Sequence, residues 1–418
     1  MKIKALKLRR FRNLSELRWE PSPGVNFIVG SNGQGKTSLL EAISLLATLR
    51  SFRGAKADEM VQLQSPFGEI SADVNEDSNA DSPVFQLKVA FSREPGGKTA
   101  RSVFLNGKIY KSTSQYLVKR FGDYSFAFHS IAFNPSDHDL VRLDPATRRQ
   151  FLDRSIAAQD PSHLLVTQKY QRLLEHRSNW LRQWGGPGGV RRVPSTQLES
   201  FRVFTEGLIE TGSEIALKRD QYIRRIRPHL RKALKVIAPS QEEVGLELNS
   251  KWLDRPESSS TSETPKTDLE QGLIPAPREH FTRHSVGPSL DLFKVIYREK
   301  LREAEDLEIH QKVNLVGPHR DDWELLLGGI PLKSKGSQGE VRSALLALKI
   351  AEIELFREST GHRPVLLLDD FSSELDQQRR MFLLEFLANT DLQVFVTTTE
   401  EAFTVGNKIV IREGQIRS

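Results

Sequence analysis

The chain of 418 residues contains no cysteine, and this absence removes several classes of protein from consideration. Without thiols the chain can form no disulfide bond and no zinc-thiolate site, and it has no cysteine nucleophile. The absence also fits a reducing compartment. We therefore expect a cytoplasmic protein.

Long apolar runs are missing as well. No uninterrupted apolar stretch approaches the roughly 20 residues that a membrane-spanning helix requires. Residues 1–8 mix lysines with apolar residues and lack the apolar core of a signal peptide. We expect neither export nor a membrane partner.

Basic residues outnumber acidic residues only modestly. The net charge is +6 and the isoelectric point is near 9.3, which favours a polyanionic partner. Over a chain of this length, such a surplus is also typical of an ordinary solvated surface. Nucleic acid is thus a plausible partner that charge alone does not establish, and the length allows two or more domains.

A glycine-rich loop follows a short apolar run near the start of the chain. Residues 25–29 predict a buried strand, residues 38–46 predict a helix, and the segment between them fits the phosphate-loop pattern G-x-x-x-x-G-K-[ST]. In such a loop Lys36 would reach the β- and γ-phosphate oxygens, and the Thr37 hydroxyl would ligate Mg²⁺. A chance glycine-rich turn is the alternative. The candidate nucleotide-binding residues are Gly30, Ser31, Asn32, Gly33, Gln34, Gly35, Lys36, Thr37 and Ser38.

Two carboxylates follow a second apolar run, at residues 364–368. A continuous apolar strand that ends in acids is typical of a parallel sheet delivering carboxylates to a nucleotide site. Asp369 would support Mg²⁺, and Asp370 would orient or polarise the attacking water. A helix cap after a buried strand is the alternative interpretation.

A third motif, Ser337-Gln338-Gly339, leads directly into an apolar helical pattern at residues 341–351. Exposed N–H groups at a helix N-terminus form an anion site, although a plain capping turn would look the same. The order of the three motifs resembles the ABC-type ATPase head. In such heads, the Ser-x-Gly signature of one subunit closes over ATP held by the phosphate loop of the other.

We predict an α/β fold that consists of an ABC-type ATPase head and an inserted, mainly helical lobe. The head would comprise residues 1–143 and 308–418, with a mixed sheet that carries the phosphate loop and an antiparallel β subdomain. Residues 144–307 would form the insertion. Within it, residues 254–289 are rich in Ser, Thr, Pro and charge, so we expect a disordered or loosely held loop there.

Basic residues cover part of the second predicted helix, which runs from about 196 to 237. Arg224, Arg231 and Lys235 lie on faces other than the apolar one. They could contact phosphates or simply be solvated, and the sequence favours neither interpretation. Pro228 should kink this helix.

Within the ABC-type superfamily the chain resembles the RecF family of DNA repair and recombination proteins. The resemblance extends over motifs spread from residue 11 to residue 399, and the block at 316–322 is distinctive. His319, Asp321 and Asp322 of that block could suggest metal ligands, but we favour a structural role that couples the lobes. The matching segments are Phe11-Arg12-Asn13, Gly30 to Thr37, Ser51-Phe52-Arg53, Arg148-Arg149 with Phe151-Leu152-Asp153, Val316 to Asp322, Ser337-Gln338-Gly339, Leu368-Asp369-Asp370, Ser373 to Asp376 and Thr397-Thr398-Thr399.

The resemblance implies an ATPase that dimerises on ATP, binds double-stranded DNA near single-strand gaps, and acts with RecO and RecR to promote RecA loading. It implies that Lys36, Thr37 and Asp369 bind ATP and Mg²⁺, and that Asp370 is the catalytic carboxylate. Asp370 is shorter than the Glu of many ABC-type ATPases, so we expect slow hydrolysis. The remaining implied contacts are Ser337, Gln338 and Gly339 with the partner's ATP, Asp376 at the dimer seam, and Arg53 with the nucleotide.

The chain departs from the family pattern at Glu340, where a Gln is usual, and we expect this side chain to cap its own helix. The glutamine that lines many ABC-type sites has no clear counterpart, and residues 134–137 would occupy that region. Two alternatives remain: an SMC-like chromosome-organising or nuclease-associated ATPase, and a phosphate-loop kinase of small molecules. The lack of long heptad repeats argues against the first.

Overall fold

A computed structural model describes residues 1–76, 83–110, 112–122, 128–186, 193–253, 288–370, 377–399 and 406–417. Within these residues the strands form three sheets, which are joined and covered by helices. Of the expected loop at 254–289, all but the last two residues lie outside the described residues. None of the described helices is long and apolar enough to span a membrane.

The elements are numbered in chain order. The strands are β1 Lys2–Phe11, β2 Leu14–Trp19, β3 Val25–Val29, β4 Phe67–Asn75, β5 Val84–Arg93, β6 Thr99–Leu105, β7 Lys108–Tyr110, β8 Ser130–Phe133, β9 Val244–Asn249, β10 Asp322–Leu327, β11 Ile330–Pro331, β12 Val365–Leu368, β13 Val394–Thr398, β14 Asn407–Arg412 and β15 Gln415–Arg417. The α-helices are α1 Lys36–Thr48, α2 Thr113–Gly122, α3 His138–Arg142, α4 Pro145–Gln159, α5 Ser162–Trp184, α6 Ser195–Ile237, α7 Leu290–Gln311, α8 Leu332–Lys335, α9 Gln338–Thr360 and α10 Gln377–Asn389.

The mixed sheet brings the predicted site residues to one edge. Its strand order is β15-β14-β3-β13-β12-β8, and β3 pairs in parallel with both β13 and β14. All four residues of β12 are buried, as the continuous apolar run predicts for a strand covered on both faces. Parallel strands end at the same edge, so the residues after β3, β12 and β13 meet there.

The second sheet is antiparallel and has the order β2-β1-β4-β5-β6-β7, which confirms the predicted β subdomain. Asn106 and Gly107 connect β6 to β7 with φ values of 49° and 77°, the left-handed conformation that an Asn-Gly pair favours in a tight hairpin. Helix α1 packs between this sheet and the mixed sheet, since Leu39 and Ile43 join one apolar core with Leu6 and Val89.

The helices α5, α6 and α7 form the predicted helical region, and Pro228 lies inside the 43-residue α6. Strand β9, which the sequence prediction places in the insertion, pairs over six residues with β10 of the predicted head. Ile226 of α6 also shares a core with Leu345 of α9 and Leu366 of β12. The two regions are thus joined by a sheet and an apolar core, and a lobe boundary at 307/308 stays a prediction.

A buried ionic cluster joins α4 and α6 to the segment before β10. The guanidinium of Arg219 donates to both carboxylate oxygens of Asp153, at 3.0 and 2.8 Å, and to Asp321 at 2.8 Å. Asp321 is fully buried and also accepts hydrogen bonds from Ser250 and Trp252. Buried carboxylates require such partners, because desolvation disfavours the charged form.

The neighbouring residues of the block at 316–322 make similar contacts. Arg148 forms two hydrogen bonds of 2.6 and 2.7 Å with Asp322, and His319 pairs with the hydroxyl of Tyr170 at 2.7 Å. Burial lowers the pKa of His319 to about 4, so the ring is neutral near pH 7. These contacts confirm the structural role that the sequence analysis favoured over metal ligation.

The basic face of α6 is partly neutralised. Arg224 pairs with Asp220 at 2.7 Å, and Arg231 pairs with Glu243 at 2.9 Å. These two pairs favour the interpretation of the basic face as an ordinary solvated surface.

Breaking the buried cluster should destabilise the protein strongly. Arg219→Met leaves Asp153 and Asp321 without their shared cation, and we expect a loss of about 3–5 kcal/mol in the free energy of unfolding. Arg225→Met on the same helix is the control, because Arg225 makes an exposed ion pair with Glu358 that is worth at most about 1 kcal/mol. Urea denaturation of both variants measures the difference. Equal losses would show that the cluster does not hold these elements together.

Candidate functional site

The loop from Gly30 to Gly35 has a shape that only glycine permits at two positions. A Cβ atom on Gly30 would lie 2.5 Å from the Ile411 carbonyl oxygen of β14. Gly35 has a φ of 104°, and a Cβ there would lie 2.5 Å from the side chain of Leu14. Helix α1 begins at Lys36, and Gly35 before it offers no side-chain cap. The N–H groups of the first turn are therefore available to a phosphate group.

Lys36 turns back over this loop. Its ammonium group donates to the carbonyl oxygens of Gly30 at 2.6 Å and Ser31 at 3.0 Å. Burial lowers the pKa of Lys36, while the nearby carboxylates of Asp370 and Asp369 act in the opposite direction. The side chain is thus a cation that lies between the loop and the two acids that follow β12.

Asp369 directly follows β12, and its carboxylate contacts the helix that follows β3 and the end of β13. Its Oδ1 accepts hydrogen bonds from the hydroxyls of Thr37 at 2.9 Å and Thr397 at 2.7 Å. Burial raises the pKa of the Asp369 carboxyl, while the two hydroxyl hydrogen bonds lower it. The structure therefore brings together the two predicted metal ligands, which lie 332 residues apart in the chain.

Asp370 follows directly, with a φ of 47° in the left-handed region. Its backbone N–H donates to the hydroxyl of Thr397 at 2.8 Å, which fixes the turn out of β12. The side chain is partly exposed at the edge of the site. Thr397 thus contacts the carboxylate of Asp369 and the backbone of Asp370, a role that we did not assign from the sequence.

Asn13 is a second residue whose role the sequence analysis did not assign. Its amide donates to the Gly33 carbonyl at 2.9 Å, and its Oδ1 accepts from the Ser38 hydroxyl at 2.8 Å. From the other side, the Gln34 side chain accepts from the backbone N–H of Glu413 at 2.5 Å. The loop is therefore held at both flanks by segments remote in sequence.

The Ser337-Gln338-Gly339 segment opens α9 with a capping box. The Ser337 side chain accepts from the Glu340 N–H at 3.2 Å, and the Glu340 carboxylate accepts from the Ser337 N–H at 2.8 Å. Those backbone and side-chain hydrogen bonds lower the pKa of Glu340. The expectation that Glu340 caps its own helix is confirmed.

Of the other predicted site residues, some lie near the phosphate loop and others do not. Within the described part of the chain, no hydrogen bond or ion pair joins Ser337 or Gly339 to the phosphate loop of the same molecule. Arg53 is exposed and lies close enough to Asp369 to lower the pKa of its carboxyl. Asp376 lies outside the described residues, and Asn134 begins a short turn directly after β8.

The donor set fits a magnesium nucleotide. One hydroxyl and one carboxylate beside a glycine loop and a lysine match the way Mg²⁺ binds in nucleotide sites, where phosphate oxygens and water supply the other ligands. No group of three or more His, Cys, Asp or Glu side chains that could hold a metal occurs among the residues described. A metal here would thus depend on the nucleotide for further ligands.

Comparisons with known proteins agree with this geometry. The family model described as RecF/RecN/SMC N terminal domain matches residues 2–412. The DNA replication and repair protein RecF of Geotalea daltonii is 32% identical over 400 residues, which cover 96% of this chain and 93% of that protein. The RecF protein of Geobacter sulfurreducens is 33% identical over the same shares.

Solved structures give the same result. The structure described as the recombination mediator protein RecF with ATP in the RecFOR pathway has a TM-score of 0.79 and 28% identity, covering 99% of this chain and 96% of that chain. The Smc head domain from Pyrococcus furiosus, with a TM-score of 0.50 and 14% identity over 99% of this chain and 95% of that chain, shares the fold alone. The similarity to RecF thus extends from the sequence to the fold.

Replacing Glu340 by Gln should change ATP affinity less than about threefold, because Gln can also accept the Ser337 N–H in a capping box. Titration calorimetry with Mg²⁺ and a non-hydrolysable ATP analogue measures the affinity, and Lys36→Ala is the control that should lose binding. A Glu340→Gln protein that binds the analogue tenfold more tightly would show instead that the carboxylate faces the nucleotide.

Proposed function

The chain belongs to the RecF/RecN/SMC N-terminal domain family and, within it, to the RecF proteins of DNA replication and repair, and from this premise we propose that it hydrolyses ATP slowly as a DNA-bound dimer. The contact between Thr37 and Asp369 is the observation that carries the proposal, because it unites the two halves of a magnesium-nucleotide site. DNA repair proteins among the relatives favour this function over a kinase of small molecules.

In the proposed mechanism the loop of Gly30 to Ser38 holds the phosphates through its backbone N–H groups. Lys36 neutralises the β- and γ-phosphate oxygens, and the oxygens of Thr37 and Asp369 would hold Mg²⁺. When bound there, the ion would supply positive charge to the phosphate oxygens. Arg53 adds a second cation on the side of Asp369.

Asp370 is the proposed catalytic carboxylate. Its backbone is fixed by Thr397, while its side chain lies at the edge of the site, where it can accept a proton from the attacking water. Aspartate reaches less far than glutamate and would hold that water less closely. Slow turnover follows, which suits a clamp that is timed by hydrolysis.

The signature segment completes the site only on a second molecule. Ser337 and Gln338 are exposed at the N-terminus of α9 and make no described contact with their own phosphate loop. We propose that Ser337, Gln338 and Gly339 contact the γ-phosphate held by the partner, with Asp376 at the seam. ATP would then hold the dimer together, and hydrolysis would release it.

The dimer is proposed to bind double-stranded DNA near single-strand gaps and to act with RecO and RecR in promoting RecA loading. This proposal rests on similarity to RecF proteins, one of which was solved as a recombination mediator of the RecFOR pathway. The net charge of +6 agrees with a polyanionic partner.

Nucleotide should control the mass of the protein in solution. We expect a monomer with ADP and a dimer with ATP, and Lys36→Ala should abolish the shift.

Asp370→Asn should lower kcat about 10²- to 10⁴-fold while retaining Mg-ATP, so it should accumulate as an ATP-bound dimer. Light scattering and phosphate release measure the two effects. One mass under both nucleotides would refute the composite site, and normal hydrolysis by Asp370→Asn would move the catalytic role elsewhere.

Affinity for DNA should be independent of sequence and should fall steeply with salt concentration, since phosphate contacts dominate such binding. Replacing Arg224, Arg231 and Lys235 together by Gln should leave the slope of log K against log salt unchanged, because the two arginines already pair with acids. Filter binding to gapped duplex DNA measures this slope. A decrease of roughly 0.9 per residue would instead assign those charges to DNA phosphates.

A further inference from the structure

A buried carboxylate behind the phosphate loop has no part in the mechanism described so far. Glu41 lies on α1, five residues after Lys36, and its side chain is fully buried. It accepts two hydrogen bonds from the Arg12 guanidinium, at 2.9 and 2.8 Å, and a third from the Ser51 hydroxyl. A buried carboxylate is costly unless it is paired in this way, so its presence calls for an explanation.

The contact with Ser51 continues towards the nucleotide site. The Ser51 hydroxyl donates to Glu41 and accepts from the backbone N–H of Arg53 at 3.0 Å. Two hydrogen bonds therefore connect the Glu41 carboxylate with the backbone of Arg53. Leu49, where the chain leaves α1, has a φ of 56°, so the segment turns sharply before it reaches Ser51.

The Arg53 side chain begins at this anchored backbone and lies near Asp369. It is exposed, yet its charge acts on the Asp369 carboxyl. Binding of a phosphate by an exposed arginine costs backbone and side-chain conformational entropy, and a backbone that is already fixed removes the first part of that cost. The anchoring of the loop thus bears on how well Arg53 can bind the nucleotide.

We propose that Glu41 is a positioning residue that, through Ser51, holds the loop of Arg53 so that its guanidinium meets the phosphates of bound ATP. Two hydrogen bonds from Arg12 hold the Glu41 carboxylate in this orientation. The inference rests on the proposed ATPase function. It adds to that function a role for one buried acid that touches neither nucleotide nor metal.

A double-mutant cycle tests the proposal. Arg53→Gln removes the phosphate contact, and we expect roughly tenfold or more weaker binding of Mg-ATP, as for loss of one charge-assisted hydrogen bond. Glu41→Gln and Ser51→Ala should each weaken binding in the same direction, raising KM more than they lower kcat. In the Arg53→Gln background, neither should have more than about a twofold further effect, because residues that act through one another are not additive.

Two variants distinguish a specific loss of ATP binding from a general loss of structure. Ser51→Ala keeps the pair of Arg12 and Glu41 and breaks only the link to the loop, so it tests the proposal even where Glu41→Gln fails to fold. Arg50→Gln is the matched control, since Arg50 is an exposed arginine of the same loop and should leave ATP binding unchanged. Thermal melting of each variant reports on the fold.

The outcomes separate this inference from the proposed function. If the effects of Ser51→Ala and Arg53→Gln multiply in the double variant, Ser51 does not act through Arg53 and the inference is wrong. If Arg53→Gln binds ATP normally while Lys36→Ala does not, Arg53 does not meet the phosphates, and the inference fails while the ATP site stands. Normal binding by Lys36→Ala would overturn the proposed function itself.

Discussion

The hydrogen bonds that the Asp369 carboxylate accepts from Thr37 and Thr397 are the interaction on which the site depends. They form because β3, β12 and β13 run in parallel and end at one edge of the sheet. A shift of one residue in the register of β13 would turn the Thr397 side chain to the other face of the sheet, away from Asp369. The chemistry at this edge is therefore set by the apolar packing that fixes the strand register.

The buried charged side chains of the protein have two distinct roles. The cluster of Arg219, Asp153 and Asp321 ties helices to the segment before β10, and Arg219 and Asp321 are buried, where a lone charge would be costly. The pair of Arg12 and Glu41 lies instead directly behind the phosphate loop. The first cluster stabilises the contact between two regions, and the second is placed where it can bear on ligand binding.

Much of the fold and of the site could be predicted from the sequence, because the signals are local. A glycine loop between a strand and a helix, an apolar run ending in Asp369 and Asp370, and the Asn106-Gly107 turn each specify a short piece of backbone. The resemblance to a known family supplied the way in which the pieces combine.

What the sequence could not predict depends on contacts between distant residues. The role of Thr397 follows only from the pairing of β12 with β13, and that of Asn13 from the approach of the first strands to the loop. Likewise, the hydrophobic periodicity of residues 244–249 does not predict that this strand pairs with residues 322–327. Such pairings carry no local pattern. Within the family resemblance, Asn13 belonged to a matching motif, and that was the one signal that could have found it.

The position of β3 between β13 and β14 has a consequence for the making of the protein. Both neighbours of β3 are encoded after residue 390, so the nucleotide loop leaves the ribosome long before them. At about 5–20 residues per second, β3 must wait tens of seconds for its place in the sheet. During that time the antiparallel hairpins, which need only close neighbours, can form on the nascent chain. The apolar residues of β3 meanwhile lack the neighbouring strands that bury them in the folded protein.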